Sequence, residues 1–472
     1  MKRVAAIAMV LACSVVLILA RSESASAWEL ETQVGLTDRA ALASHLDSWL
    51  RAHGLTEGLY ETIGLARRAP GTPPSRPLDD RAMLDELDRV DAALGVSPDS
   101  ARQPAIAWLL AGAVLEGARM DRVRNHFLNP RDGGGLSEAG TGSARARLEA
   151  MRDGSGSVRG VFTGANFDGT GMRADRWLDA PENELSRTRM LDELERAASA
   201  EGENARQAAL ARALVCAGAI AHVLEAVGDP AHARADFTIN YAIARAPLER
   251  WAVERYGLAV PPAASPSALR PVPSRLAWFV SAPDGSGLGD EVGRSFLSPG
   301  TLPESAGALP LPEVKAGSAT EGMLPGPLVK SLVAYHRDAA GTRYDFTKST
   351  LAETVDVLLP RIARRTAQLL DFMFREVISI VPGEEGGFNV SVGGTALEHG
   401  RIALFVEQPD GRRTAIIDRT TQGGSANTSL LAITPDEART FAGARRVVAL
   451  YRGKDANGEP VVGYVVTTPQ IR

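Results

Sequence analysis

From Ala205 to Val227 apolar residues recur at three- and four-residue steps, a helical pattern that stops at Gly228-Asp229-Pro230. A helix does not continue through that triplet, because Pro230 has no amide hydrogen and its ring clashes with the preceding turn. His222 therefore lies near the end of one helix and His232 just past a break. The break lets His232 swing back toward the face that carries His222. The same spacing at Ala40–Ala52, Asp79–Leu94, Ala105–Leu115 and Thr188–Ala200 makes the stretch from Leu36 to about Arg250 mostly helical. It returns at Ser349–Ile380, where Pro360 is expected to kink the helix or start a new one.

Other stretches resist a helical reading. Arg67–Pro77 and the Gly-rich Gly133–Gly171 read as loops, with one short helix at Ala144–Met151. Between Pro261 and Pro327 stand 12 of the 28 prolines, so this segment is an excursion, neither a continuous helix nor a central strand. Its Trp278-Phe279-Val280 should pack on the body. After Pro382-Gly383 short β-rich runs take over: Phe388–Val392, Arg401–Val406, Arg413–Ile417, Val447–Tyr451 and Val461–Val466, separated by turn signals such as Asp410-Gly411 and Asn457-Gly458.

The first residues read as an export signal. Met1-Lys2-Arg3 is followed by an apolar run from Val4 to Ala20 and an Ala25-Ser26-Ala27 cleavage site. Residues 1–27 would be removed and the protein would be secreted or periplasmic, beginning at Trp28. Losing three basic residues and one acidic takes the formal charge from −5 to −7, which argues against binding nucleic acid through bulk charge. It also leaves Cys216 without a partner, in an apolar run where it reads as a buried small hydrophobe. No later apolar run suggests a multi-span membrane protein.

The chemistry-bearing residues cluster in two places. One is Asn125-His126-Phe127 with Pro130 after it; the other runs from His222 to Asp236 and holds Glu225, Asp229 and His232. Histidines flanking a helix break among carboxylates suit a metal site, although each alone also reads as a cap or a satisfied polar group. His126, His222 and His232 are expected to converge, with Asp229 or Asp236 facing the same cavity. His45 and His53 lie on an amphipathic helix and read as surface residues, while His336 and His399 lack metal-ligand company.

With Trp28 at the mature start, these two segments resemble those of the bacterial zinc-dependent phospholipases C and the related single-strand-specific zinc nucleases of fungi and plants. Leu358–Arg361 and Leu369–Arg375 resemble a late helix of exported bacterial relatives, so the resemblance spans residues 28–376. It implies a cluster of three zinc ions that activates water against a phosphodiester. The amine and carbonyl of Trp28 would chelate one zinc, His126 and His222 would ligate a second, and His232 and Glu249 a third. Asp229 and Asp236 would be the catalytic carboxylates. Four positions depart from the pattern. Ala226 stands where a carboxylate is expected and Arg245 where a histidine is. Thr37-Asp38 replaces a Thr-His pair, and Glu116 or Gly117 takes the place of an aspartate. Arg245 would pair with Glu249 at i,i+4 spacing. Asp38, Glu116 and Asp121 are the carboxylates that would compensate as ligands, and His45 would stand in for the early histidine.

The fold expected is mainly α. A helical phospholipase C/nuclease-like domain covers 28–380, with the Pro-rich excursion at 258–327, and a small antiparallel β-sandwich-like domain follows over 386–472. The function expected is an exported zinc-dependent phosphodiester hydrolase, acting on phospholipid in preference to nucleic acid, with peripheral membrane contact. The alternative is a non-catalytic relative that keeps the fold and binds a lipid, phosphate or protein partner.

Overall fold

A computed structural model describes residues 28, 30–65, 102–117, 120–129, 133–136, 171–236, 247–257, 272–302, 314, 319–382, 388–392, 400–421, 430–433, 441 and 443–468. The signal segment, the helices expected at Asp79–Leu94 and Ala144–Met151, Arg245 and His399 lie outside these residues.

The first helices are α1 (Leu30–Ala43) and α2 (Leu46–Ala52), followed by a short ladder of β1 (Thr62–Gly64) with β2 (Arg102–Pro104). Then come α3 (Ala105–Gly117), α4 (Met120–Val123), α5 (Ala174–Trp177), α6 (Arg187–Ser199) and α7 (Glu203–Ala226). Ser186 caps α6 by accepting a hydrogen bond from the Arg189 amide. Next are α8 (Pro230–Ala233) and α9 (Pro247–Arg255). Among the described residues of the Pro-rich stretch are the short α-helices α10 (Leu276–Val280) and α11 (Leu288–Ser295), and Phe279 and Val280 are fully buried in the body as expected. By length and composition α7 is apolar enough to cross a membrane, but it is the central, buried helix of the body.

An antiparallel meander interrupts the helical part: β3 (Glu321–Leu324), β4 (Val333–Asp338) and β5 (Gly341–Asp345). Tyr335 packs over Gly322 and stands opposite Tyr344, so partly buried rings lay the sheet on the core. The long helix α12 (Lys348–Met373) opens with a capping box between Thr347 and Thr350. Pro360 sits inside this single helix, between Leu358, Leu359, Ile362 and Ala363, all buried in the core. Packing on both sides of the proline outweighs the one hydrogen bond it removes. The helix ends at Met373, and the expected continuation to Ile380 is corrected: Ile378–Pro382 forms strand β6. A short apolar run fits either structure, and here it pairs with a neighbouring strand.

The remaining strands are β7 (Phe388–Val392), β8 (Gly400–Glu407), β9 (Arg413–Thr421), β10 (Leu430–Ile433), β11 (Arg446–Lys454) and β12 (Pro460–Thr467). They make two antiparallel sheets, ordered β10-β7-β6 and β12-β11-β8-β9. Ile402, Leu404, Val406, Val447, Ala449 and Tyr451 share one apolar cluster with Val390 and Val392 of the smaller sheet. The alternate residues Ala403, Phe405, Val448, Leu450, Val462 and Tyr464 join the helical core instead. The central strands β8 and β11 are thus buried on both faces, which is why they read as unbroken apolar runs.

Candidate functional site

Helices α3 and α7 touch backbone to backbone. A Cβ on Gly112 would lie 1.9 Å from the Val215 carbonyl oxygen, and one on Gly218 would lie 1.8 Å from that of Leu109. One turn further along each helix stand Glu116 and His222, so this crossing delivers a carboxylate and an imidazole to the same buried spot. A Cβ on Gly117 would stand 2.6 Å from His222 Cε1. The imidazole therefore closes onto bare backbone where the resemblance leads one to expect a carboxylate.

Glu116 is fully buried and carries the densest hydrogen bonding of the site. Its Oε1 accepts from His126 Nε2 at 2.9 Å and from Trp177 Nε1 at 2.8 Å. Its Oε2 accepts from Arg122 Nε at 2.9 Å and Nη2 at 2.5 Å. Burial alone would raise the Glu116 pKa, but Arg122, His126 and Trp177 together hold it well below the usual carboxylate range. Glu116 is therefore a permanent anion, and Arg122 is its counter-ion.

The three histidines converge as expected. The His126 ring centre lies 5.1 Å from that of His222 and 6.4 Å from that of His232, and all three are fully buried. Phe127 stacks on His232 at 4.1 Å. His232 Nδ1 donates to the His126 carbonyl at 3.2 Å, which fixes the orientation of the ring. Burial, followed by the neighbouring His126, pushes His222 down to about 3 and His232 well below the usual imidazole value.

The carboxylates divide between the cluster and other places. Asp229 caps α8, accepting from the Ala231 amide at 2.8 Å, and the Glu249 carboxyl lies against it. Burial pushes Asp229 up to about 7, and nearby Asp236 adds to the effect. Asp236 follows Ala235, whose φ of 48° is in the left-handed region, and its amide returns to the Ala231 carbonyl at 2.8 Å. Glu225 is raised well above its ordinary value by burial, with Thr37 Oγ1 donating to it at 3.0 Å. The indole of Trp28 is fully buried and donates to the Glu225 carbonyl at 3.1 Å, which brings residue 28 to the end of α7.

Two of the residues nominated from sequence do not join the cluster's hydrogen-bonded centre. Asp121 is exposed on α4, and Asp38 faces Arg39 with its pKa raised by burial. The residue of the first helix that reaches the cluster is Gln33, whose Nε2 lies 3.4 Å from His222 Nε2 and donates to it. Neither Gln33 nor Arg122 carries a sequence signal, because what each does is set by the helix crossing. His53 also departs from expectation. It is buried, stacks on Trp49 at 3.8 Å and reaches the Tyr464 carbonyl at 2.5 Å.

The polar contacts made at Glu116 and at Nε2 of His126 and His222 do not suit zinc in this arrangement, while His126 Nδ1 and Asp229 Oδ2 are buried with no hydrogen-bond partner among the described residues. A zinc ligand must offer a lone pair, but His126 Nε2 gives a proton to Glu116 and His222 Nε2 faces an amide N–H. The carboxylate that would meet a metal meets a guanidinium instead. Among the described residues no group of three or more His, Cys, Asp or Glu side chains is set to hold a metal ion. A small pocket opens beside Asp229, walled by Pro247, Leu248, Leu297, Pro299 and Phe346; His126, His222 and Glu116 are not among its walls.

No protein-family model matches the chain, and no curated protein is significantly similar to it. One solved structure, an alpha toxin from Clostridium absonum, aligns with 93% of this chain and 93% of its own, at 11% identity and a TM-score of 0.28. That similarity is too low to establish a common fold.

Proposed function

We propose that this chain is an exported, non-hydrolytic protein on the helical plan of the zinc phospholipases C and nucleases, one that binds a phospholipid surface and does not cleave it. The observation that carries the reading is the cation at Glu116, which is Arg122 of the chain itself. Gln33 against His222 and the absence of a side chain at Gly117 support it. The two C-terminal sheets, which begin with β6 and share an apolar cluster, support reading the C-terminal strands as β-sandwich-like.

The test uses mature protein beginning at Trp28. It is supplied with zinc and assayed on phosphatidylcholine vesicles, bis(4-nitrophenyl) phosphate and single-stranded DNA, with vesicle co-sedimentation alongside. The reading expects co-sedimentation and no zinc-dependent turnover. Turnover of any of the three diesters would sink it.

A second reading, a zinc-dependent phosphodiester hydrolase, draws on the convergence of His126, His222 and His232 and on Trp28 beside α7. In it Trp28, His126, His222, His232 and Glu249 are ligands, with Asp38, Glu116 and Asp121 compensating and Asp229 and Asp236 catalytic. Only a free amine at Trp28 would chelate, so the comparison is with protein carrying a two-residue extension. Zinc bound by the Trp28 form and lost in the extended form would favour this second reading.

A further inference from the structure

We infer that the Arg122 guanidinium is a built-in replacement for a metal cation, closing a dormant zinc site formed by Glu116, His126 and His222. The inference rests on the non-hydrolytic reading and adds what keeps the buried centre together without a metal.

The geometry of the three potential ligands is the first support. Glu116 Oε1 and His126 Nε2 are 2.9 Å apart, and the His126 and His222 rings are 5.1 Å apart. Two imidazoles on one tetrahedral zinc, with Zn–N bonds of about 2.0–2.1 Å, place their ring centres about 5 Å apart. His126 thus stands at ligand-shell spacing from each of the other two side chains. The three do not form a group set to hold a metal as they stand, because the proton on His126 Nε2 and the Arg122 guanidinium both engage Glu116.

The shell around Arg122 is the second support. Its side chain is 5% exposed. Beyond Glu116, its Nη2 donates to Asn183 Oδ1 at 2.7 Å, and the guanidinium lies 5.6 Å from the Trp177 ring centre. Asn183 is held in turn, donating to the Trp177 carbonyl at 2.9 Å and accepting from the Leu185 amide at 2.9 Å. Trp177 closes the circuit by donating to Glu116. Each partner of the cation is itself fixed, as are the residues that support metal ligands. A buried carboxylate needs a compensating charge, and a guanidinium supplies it whether or not metal is present.

The experiment measures zinc content and thermal midpoint, with and without a chelator, for the mature protein and its variants. The mature wild-type protein should purify without stoichiometric zinc and melt at the same temperature in either buffer. Arg122→Ala should bind one zinc per chain and melt at a lower temperature when chelator is added. Arg122→Lys keeps the charge and should stay free of zinc. If Arg122→Ala is insoluble as expressed, refolding with zinc but not with chelator supports the inference, and failure in both overturns it. Wild-type protein that loses a bound zinc and stability together also overturns it, as does an Arg122→Ala variant that folds without taking up zinc. Diester turnover is a separate measurement, so an inactive wild type with an Arg122→Ala variant indifferent to zinc would reject this inference and leave the non-hydrolytic reading standing.

Discussion

Gly218 of α7 meets Leu109 of α3 at a distance that only a glycine tolerates: a Cβ at position 218 would sit 1.8 Å from the Leu109 carbonyl oxygen. The obstructing atom belongs to the backbone of a buried helix and has nowhere to go. Gly218→Ala should therefore push α3 and α7 apart and cost about 3 kcal/mol or more. Urea denaturation of the purified variant measures it. A loss under about 0.5 kcal/mol would mean that the helices are not in backbone contact.

Glu407 is buried at the junction of the four-stranded sheet with α6 and α7. It accepts from Arg413 Nε at 2.9 Å and from Arg206 Nη2 at 3.4 Å. Arg413 also donates to the Ala197 and Ala198 carbonyls at the end of α6. Glu407→Ala would leave two buried guanidinium groups facing each other, for an expected loss of about 3–5 kcal/mol. The charge-free triple variant Arg206→Met, Arg413→Met, Glu407→Leu should recover part of that loss in the same denaturation assay.

Acid should unfold the protein partly through His222. Burial pushes its folded pKa down to about 3, against 6.5 for an ordinary imidazole. The unfolded chain therefore takes up a proton that the folded one refuses. The associated stability is complete above about pH 6.5 and is lost as pH falls, by about 1.4 kcal/mol per pH unit. Asp229, raised to about 7, works in the opposite sense and favours the fold as pH falls below 7. The telling quantity is thus the difference between wild type and His222→Gln. The variant should have a shallower loss of stability between pH 6 and 4, and parallel curves would show that His222 already titrates normally in the fold.

Removing everything after Arg375 should not leave a stable helical protein. The cut strips the sheet that covers Trp49, His53 and the end of α6, and it deletes the partners of Arg206 and Asp192. The expected product is aggregated or molten. Near-ultraviolet circular dichroism and gel filtration read this directly. A monomeric, cooperatively melting fragment would show that the C-terminal strands are a separable appendage.

Helices α3, α6 and α7 and strands β8, β11 and β12 were legible because their signals are local. Apolar spacing, Ser186 as a cap and Gly228-Asp229-Pro230 as a stop act within a few residues of where they stand. The meander Glu321–Asp345 and strand β6 were not, since an apolar run of five residues takes its form from what it pairs with. His53 read as a surface residue because the strand that buries it is 411 residues away.

The same division runs through the site. The sequence by itself determined that His222 and His232 would gather, because a helix break two residues before His232 allows only a short return path. It also determined that Ala226 brings no carboxylate. Only the tertiary structure decided that Gln33 and not Asp38 meets His222, and that the Arg122 guanidinium pairs with Glu116. The reason is physical. Which polar atoms share a buried space depends on where α3 and α7 touch, and that contact is set by two glycines whose sequence context gives no sign of it.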